Sequence, residues 1–224
     1  MLLLVLAALL WLGLHIGVAG TALRGVAVAR LGTGGFRAGF SIASVVAIAL
    51  LVLAWRAAPA EPLWFAPGWL RWLLAVAMLP AFVLFVASFR RNPTAAGGGP
   101  LIGAEVTGIQ RVTRHPMLWS FAIWAAVHVV GNGDLASLVF FGTFLVTALA
   151  GMPSIDAKLA ARQPEGWPRL AAATSILPFG AILTGRNRLD LREIGWVSPA
   201  AGLVLWLALL HLHVPLFGVM PLLQ

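Results

Sequence analysis

Two histidines lie thirteen residues apart in the run Arg111-Val112-Thr113-Arg114-His115-Pro116, through Val127-His128, to Gly131-Asn132-Gly133-Asp134. His115 sits with Arg111 and Arg114 at the start of an apolar stretch. His128 sits inside that stretch, and His15 sits inside another. Charge and imidazole are expensive in hydrocarbon, so ionisable side chains at such positions mark functional candidates. Paired intramembrane imidazoles suit the iron of a non-covalent b-type haem, because neutral imidazole is a common haem ligand and helix bundles hold cofactors in their cores. The competing reading gives each histidine one interhelical hydrogen bond or a place in a proton relay. No Cys-x-x-Cys-His is present, so a haem would not be covalently attached. His115 precedes Pro116, a residue tolerated in a helix's first turn. With Arg111 and Arg114 it forms a candidate anion or substrate mouth at a helix N-terminus; the alternative is an anchor for lipid phosphate. His211 and His213 near the end of the last apolar run read as residues that snorkel to the interface.

The elements that position these residues follow from composition. The chain has 224 residues, 61% of them hydrophobic and 10% charged, with mean hydropathy +0.96. Soluble domains carry about 25% charged residues, so the solvent for most of this surface is lipid. Cysteine is absent, which excludes disulfides, thiolate metal sites and a cysteine nucleophile; tyrosine is absent too.

The expected fold is an all-α polytopic membrane bundle of about six spans, forming a single domain over residues 1–224. A span needs about 20 apolar residues. The runs are Leu2–Leu23, Phe40–Ala58, Trp69–Phe89, a short Met117–Val130, Leu135–Met152 and Trp196–Val214. Leu170–Thr184, interrupted by Pro178 and Gly180, reads as an interfacial or re-entrant piece. Six spans put thirteen of the fifteen basic residues on one side. The positive-inside rule then makes those loops cytoplasmic, with both termini periplasmic. The net charge of +8 is therefore topology, and no nucleic-acid partner is implied. Met1 to Leu12 lacks the basic segment of a cleaved signal and reads as the start of a retained span.

Among other polar positions, Asp134 is the expected N-cap of the fifth span. Asp156, Lys158 and Arg162 have the spacing of a solvated helical pair network. Asn92-Pro93-Thr94 and Gly97-Gly98-Gly99-Pro100 mark turns in a long irregular loop. The tail from Trp167-Pro168 to Pro178-Phe179 is rich enough in aromatics and proline to cap a cavity mouth or anchor at the interface.

These motifs also carry a resemblance. The ordered set Gly13-Leu14-His15, Asn92-Pro93-Thr94, Gly108-Ile109 through Arg114-His115-Pro116, Trp124 to His128, Asn132-Gly133-Asp134 and Gly151 to Asp156 resembles the NnrU family of bacterial inner-membrane proteins. That family is associated with denitrification and with nitrite and nitric oxide reductase function. It is similar to the 15-cis-zeta-carotene isomerases, haem b enzymes with the same thirteen-residue histidine spacing. The resemblance implies haem b on His15 and His128 as axial ligands, a bacterial cytoplasmic membrane location, and a hydrophobic polyene or nitrogen-oxide ligand. Two activities follow as expectations: a non-enzymatic role in nitrogen-oxide respiration, or haem-dependent cis–trans isomerisation. More distantly, the Arg-His-Pro block resembles isoprenylcysteine and phospholipid methyltransferases, which bind S-adenosylmethionine. Glu165-Gly166-Trp167 offers one carboxylate where those usually place an acidic pair, which argues against methyl transfer.

Overall fold

The computed structural model describes residues 1–90, 94 and 105–222. The expected turns at Asn92-Pro93 and Gly97–Pro100 lie outside the described residues. Among those described, the regular structure is helical: α1 (Leu2–Leu12) continuing into a π-helical turn (Gly13–Val18), α2 (Leu23–Ala57), α3 (Gly68–Ala87), a 3-10 turn (Gly108–Arg111), α4 (Pro116–Asn132), α5 (Leu135–Arg162), the short α6 (Trp167–Ala173), α7 (Gly180–Leu183) and α8 (Leu191–Ile194), and α9 (Val197–Phe217). The protein is an all-α polytopic membrane bundle. Among the described residues, four helices are long and apolar enough to cross a bilayer: α2, α3, α5 and α9. Leu2–Val18 is a shorter apolar helix, and α4 has 17 residues. Large aliphatic side chains such as Leu2, Leu3, Val45, Leu53 and Val204 are exposed, the pattern of helices whose outer face meets lipid.

Two boundaries differ from expectation. The segment between the first two expected spans, which holds the basic residues Arg24, Arg30 and Arg37 and falls among the loops counted above, is helical, interrupted only at Gly32 with φ 71° and ψ 167°. That backbone region is nearly restricted to glycine, and the good helix formers Leu, Ala and Arg on either side carry the helix up to it. The fifth span was expected to end at Met152, but α5 runs on through Pro153 to Arg162. Leu170–Thr184 holds no helix long enough to span; α6 and α7 have seven and four residues.

The chain forms two compact units, Met1–Pro67 with Ala125–Ser154, and Gly68–Trp124 with Ile155–Gln224. In the first, the segment before α3 is tied to the turn between α4 and α5. Leu63 and Trp64 donate backbone N–H bonds to the Gly133 carbonyl at 2.7 and 3.0 Å, and Leu135 N–H donates to the Glu61 carbonyl at 2.9 Å. Gly133 has φ 70°, and an added Cβ would meet the Trp64 carbonyl oxygen, so no larger residue fits there. Asp134 caps α5, accepting from Ser137 N–H at 2.8 Å, as its position in the turn predicts.

In the second unit α3 and α9 pack antiparallel. The Trp206 indole donates to the Ala75 carbonyl at 2.7 Å, and the backbone of α3 at Val83 lies against Gly202. At the end where α3 finishes, Leu84, Ala87, Ile109 and Val112 form a buried cluster against which Trp119, Ile123 and Ile194 pack.

Candidate functional site

His15 and His128 both belong to the first unit. His15 falls within the π-helical turn, whose closing bond runs from Ala19 N–H to the Leu14 carbonyl at 2.9 Å. Single π turns inside α-helices concentrate at functional positions. His15 Nδ1 donates to the Trp11 carbonyl at 3.0 Å. A carbonyl only accepts, so Nδ1 carries the hydrogen and, in the neutral ring, Nε2 keeps the lone pair. The imidazole stacks on the Trp11 indole with centroids 3.9 Å apart and meets the edge of Phe40 at 5.2 Å. Trp11 is itself held by its indole N–H, which donates to the Thr147 hydroxyl at 3.1 Å.

From Trp11 an unbroken series of ring contacts leads to the other histidine. Trp11 meets Phe144 at 5.2 Å, Phe144 meets Phe140 at 5.2 Å, Phe140 meets Phe141 at 4.9 Å, and Phe141 stacks on His128 at 4.8 Å. Trp55 stacks on Phe140 at 4.6 Å and donates its indole N–H to Ser137 at 3.4 Å. Three of these phenylalanines lie on the first half of α5, at Phe140, Phe141 and Phe144. Helical periodicity presents them along one side of the helix. The two imidazoles thus end one aromatic wall.

The donor arrangement at His15 is the one a metal-ligating imidazole needs. A ligating histidine normally donates its second ring N–H to a carbonyl or carboxylate, which fixes the tautomer and turns the bare nitrogen toward the metal. His15 has that arrangement. The surrounding rings supply the apolar faces a porphyrin needs.

The Arg-His-Pro block lies in the second unit, and there the structure supplies what sequence reasoning missed. Asp156 on α5 was expected to join a solvated network with Lys158 and Arg162. It is instead 8% exposed and accepts from Arg114 and His115. Arg114 Nε lies 3.0 Å from both carboxylate oxygens, Arg114 Nη2 donates to Oδ2, and His115 Nε2 donates to Oδ1 at 2.8 Å. The extension of α5 past Met152 is what carries this carboxylate to the block. Arg114 also lies over the Trp167 ring, 5.5 Å from its centroid.

His115 is 1% exposed, and its Nδ1 has no hydrogen-bond partner among the described residues. The tail is laced to this segment. Arg114 N–H donates to the Ser175 carbonyl, while the Thr113 hydroxyl and Trp119 indole donate to the Ile176 carbonyl, both at 2.7 Å. Arg111 forms a separate two-pronged pair with Glu193, at 2.7 and 2.8 Å, and Gly108 N–H donates to the same carboxylate at 2.8 Å. Hydrogen bonds from Arg111 and then Gly108 hold the Glu193 carboxyl at a pKa of about 2, and the same pair raises that of Arg111. The three side chains expected at an anion mouth therefore meet carboxylates of the chain itself. Arg114 and His115 share one, and Arg111 takes another.

The fold and these sites define a class: an all-α membrane protein with imidazoles set in an aromatic, apolar interior. The NnrU family model, described as NnrU protein, matches residues 3–221, and the chain belongs to that family. It is also similar to two curated proteins described as 15-cis-zeta-carotene isomerase, chloroplastic. The match to the one from Zea mays is 32% identical over 108 residues, covering 48% of this chain and 30% of that protein. The match to the one from Arabidopsis thaliana is 30% identical over 106 residues, covering 47% and 29%. The matched region thus spans less than a third of those relatives' length. No solved structure matches.

Proposed function

We propose that this NnrU-family protein holds a b-type haem on His15 and His128 and isomerises a cis double bond of a membrane-dissolved polyene. The observation that carries the reading is the ring series Trp11–Phe144–Phe140–Phe141 with an imidazole stacked at each end. A conjugated chain is flat, apolar and polarisable, and an aromatic wall offers it stacking contacts without hydrogen bonds. The partial similarity to carotene isomerases supports the same chemistry. A nitrogen-oxide ligand, the reading tied to denitrification, needs no such wall.

When bound, the haem supplies a Lewis-acidic iron that exchanges single electrons, and the chemistry is the cofactor's. The chain's residues have other tasks. The Trp11 carbonyl fixes the His15 tautomer and leaves Nε2 as the ligating nitrogen. The Trp11 and Phe141 rings hold the two imidazole planes by stacking. Thr147 holds the indole of Trp11, so that ring cannot turn away without losing its hydrogen bond. The phenylalanines exclude water from the space around the imidazoles.

The test is an absorption spectrum of purified protein, oxidised and reduced, followed by incubation of the reduced protein with 15-cis-zeta-carotene and chromatographic separation of the geometric isomers. The expected result is a Soret band with sharp reduced-state bands, lost in His15→Ala and His128→Ala, together with conversion of the cis substrate. Colourless protein at full membrane yield from haem-replete cells overturns the haem assignment. Haem-loaded protein that leaves the polyene unchanged overturns the isomerase assignment.

A further inference from the structure

With Arg111, Arg114 and His115 all committed to carboxylates, a different cation in the second unit is left facing a cavity. Arg90, just past the end of α3, is exposed, and its guanidinium has no hydrogen-bond or ion-pair partner among the described residues. Its guanidinium lies over Gly195, Nη1 being 3.9 Å from where a Cβ would stand. Gly195 has φ 68°, a backbone region that favours glycine. Arg90 borders a cavity of about 400 Å³ that is also lined by Ala87, Thr107, Glu193, Ile194 and Ser198.

Three features converge on that space. The first is the unpartnered guanidinium. The second is the start of α9, a helix of 21 residues whose N-cap, Trp196, provides no side-chain cap. Pro199 has no N–H, and the first bond across this turn runs from Ala200 to Trp196. The N–H groups of Val197 and Ser198 therefore lack an intrahelical acceptor, as the first turn of a helix always does. The third is Ser198 itself. It is 1% exposed, lines the cavity, and its hydroxyl forms no hydrogen bond among the described residues. Lining the cavity, that hydroxyl can donate to an acceptor placed there.

We infer that this cavity binds the phosphate group of a membrane phospholipid. Arg90 and the first-turn N–H groups of α9 are donors, the Thr107 and Ser198 hydroxyls can donate as well, and a guanidinium with a helix N-terminus is the pairing that recognises phosphate oxygens. The one carboxylate in the wall, Glu193, is already satisfied by Arg111 and Gly108. The lipid source follows from the surroundings. The cavity sits where two helices long and apolar enough to cross a bilayer end and begin. Ala87 and Ile194 give it an apolar wall, and Phe89, Leu191 and Trp196 beside it are exposed. Aromatic and aliphatic side chains flanking a basic pocket are the setting of a headgroup site at the membrane interface.

The probe is dihexanoyl-phosphatidylglycerol, titrated into delipidated full-length protein in neutral detergent, with inorganic phosphate in a parallel arm. Binding of the short-chain lipid should be weakened about ten- to a hundredfold in Arg90→Gln, the loss of one charge-assisted contact of about 1.5–3 kcal/mol. Ser198→Ala should weaken it about threefold to tenfold. Arg169→Gln, an exposed arginine elsewhere in the same unit, should leave it unchanged. Circular dichroism and size-exclusion profiles matching the parent establish that each variant is folded, and Arg90→Lys should bind between parent and Arg90→Gln. Unchanged lipid affinity in folded Arg90→Gln overturns the site. Inorganic phosphate binding as tightly as the lipid overturns the lipid assignment. Neither outcome depends on haem, so failure here is distinct from failure of the isomerase reading.

Discussion

Replacing Asp156 by alanine tests the most heavily connected polar centre of the second unit. The substitution removes three hydrogen bonds from Arg114 and one from His115. It strands two donors whose side chains are 11% and 1% exposed. Removing one partner of a buried charge pair costs about 3–5 kcal/mol, mostly because the remaining charge has nowhere to go. For a chain of this size each kcal/mol moves the melting midpoint by about 2–4 °C, so Asp156→Ala should melt about 6–20 °C lower. The assay is the fraction of detergent-solubilised protein that stays monodisperse on size exclusion after heating across a temperature series. Asp156→Asn keeps an acceptor and loses the charge, and should fall between parent and alanine. Arg114→Ala with Asp156→Ala should be milder than the sum of the two by about 0.5–3 kcal/mol, since the second change removes the stranded charge. If Asp156→Ala loses less than about 1 kcal/mol, and the double variant is simply additive, the carboxylate is solvated and the geometry argued above is wrong.

Three further predictions are independent of that centre. The Glu193 pKa is lowered from 4.5 to about 2. Its pairing with Arg111 therefore adds stability that is fully present above pH 4.5 and is lost as pH falls through about 2. The protection factor of the Gly108 amide against hydrogen exchange should fall as pH drops across that window, and Glu193→Gln should abolish the dependence. Gly202→Ala puts a Cβ 2.9 Å from the Val83 backbone; overpacking of this kind costs about 1–3 kcal/mol and should appear as a lower melting midpoint, whereas Gly142→Ala, with open space around it, should be neutral. His115→Ala should keep the haem spectrum that His15→Ala and His128→Ala lose, because the ring nitrogen of His115 is tied to Asp156 and not to the aromatic wall; loss of the Soret band in folded His115→Ala would refute the ligand assignment.

The helices were legible in the sequence because uninterrupted apolar runs have few other structures open to them in lipid. The Asn132-Gly133-Asp134 turn was equally plain, since glycine and an N-capping carboxylate act within a few residues of chain. What sequence reading missed acts over distance or against local pattern. Asp156 is 41 residues from His115 and sits three residues after Pro153, where a polar break reads as the end of a span. Only the continued helix reveals which cations it serves. Glu193 is 82 residues from Arg111, and nothing in its neighbourhood points there. The arginines from Arg24 to Arg37 look like a loop because charge is a stronger signal than helix propensity near a membrane. The aromatic wall left a faint trace, Phe140-Phe141 and Phe144 on one helical side, but Trp11 and the imidazoles join it only through tertiary packing.

The widened turn around His15 has a consequence of its own. A five-residue hydrogen-bonded step is what one inserted residue makes of a four-residue step, so the chain after Val18 is out of phase with α1 by about 100° relative to an unbroken helix. The bearing of His15 is thus encoded partly by how many residues lie in this stretch and only partly by which ones. Substitutions from Gly13 to Val18 will under-report its importance, because most preserve the count. Deleting Gly17, which contacts nothing through its missing side chain, removes the extra residue while leaving every named partner in place. Within the family, length variation confined to this turn would then separate chains by where their first imidazole points, a distinction invisible to comparison of residue identities alone.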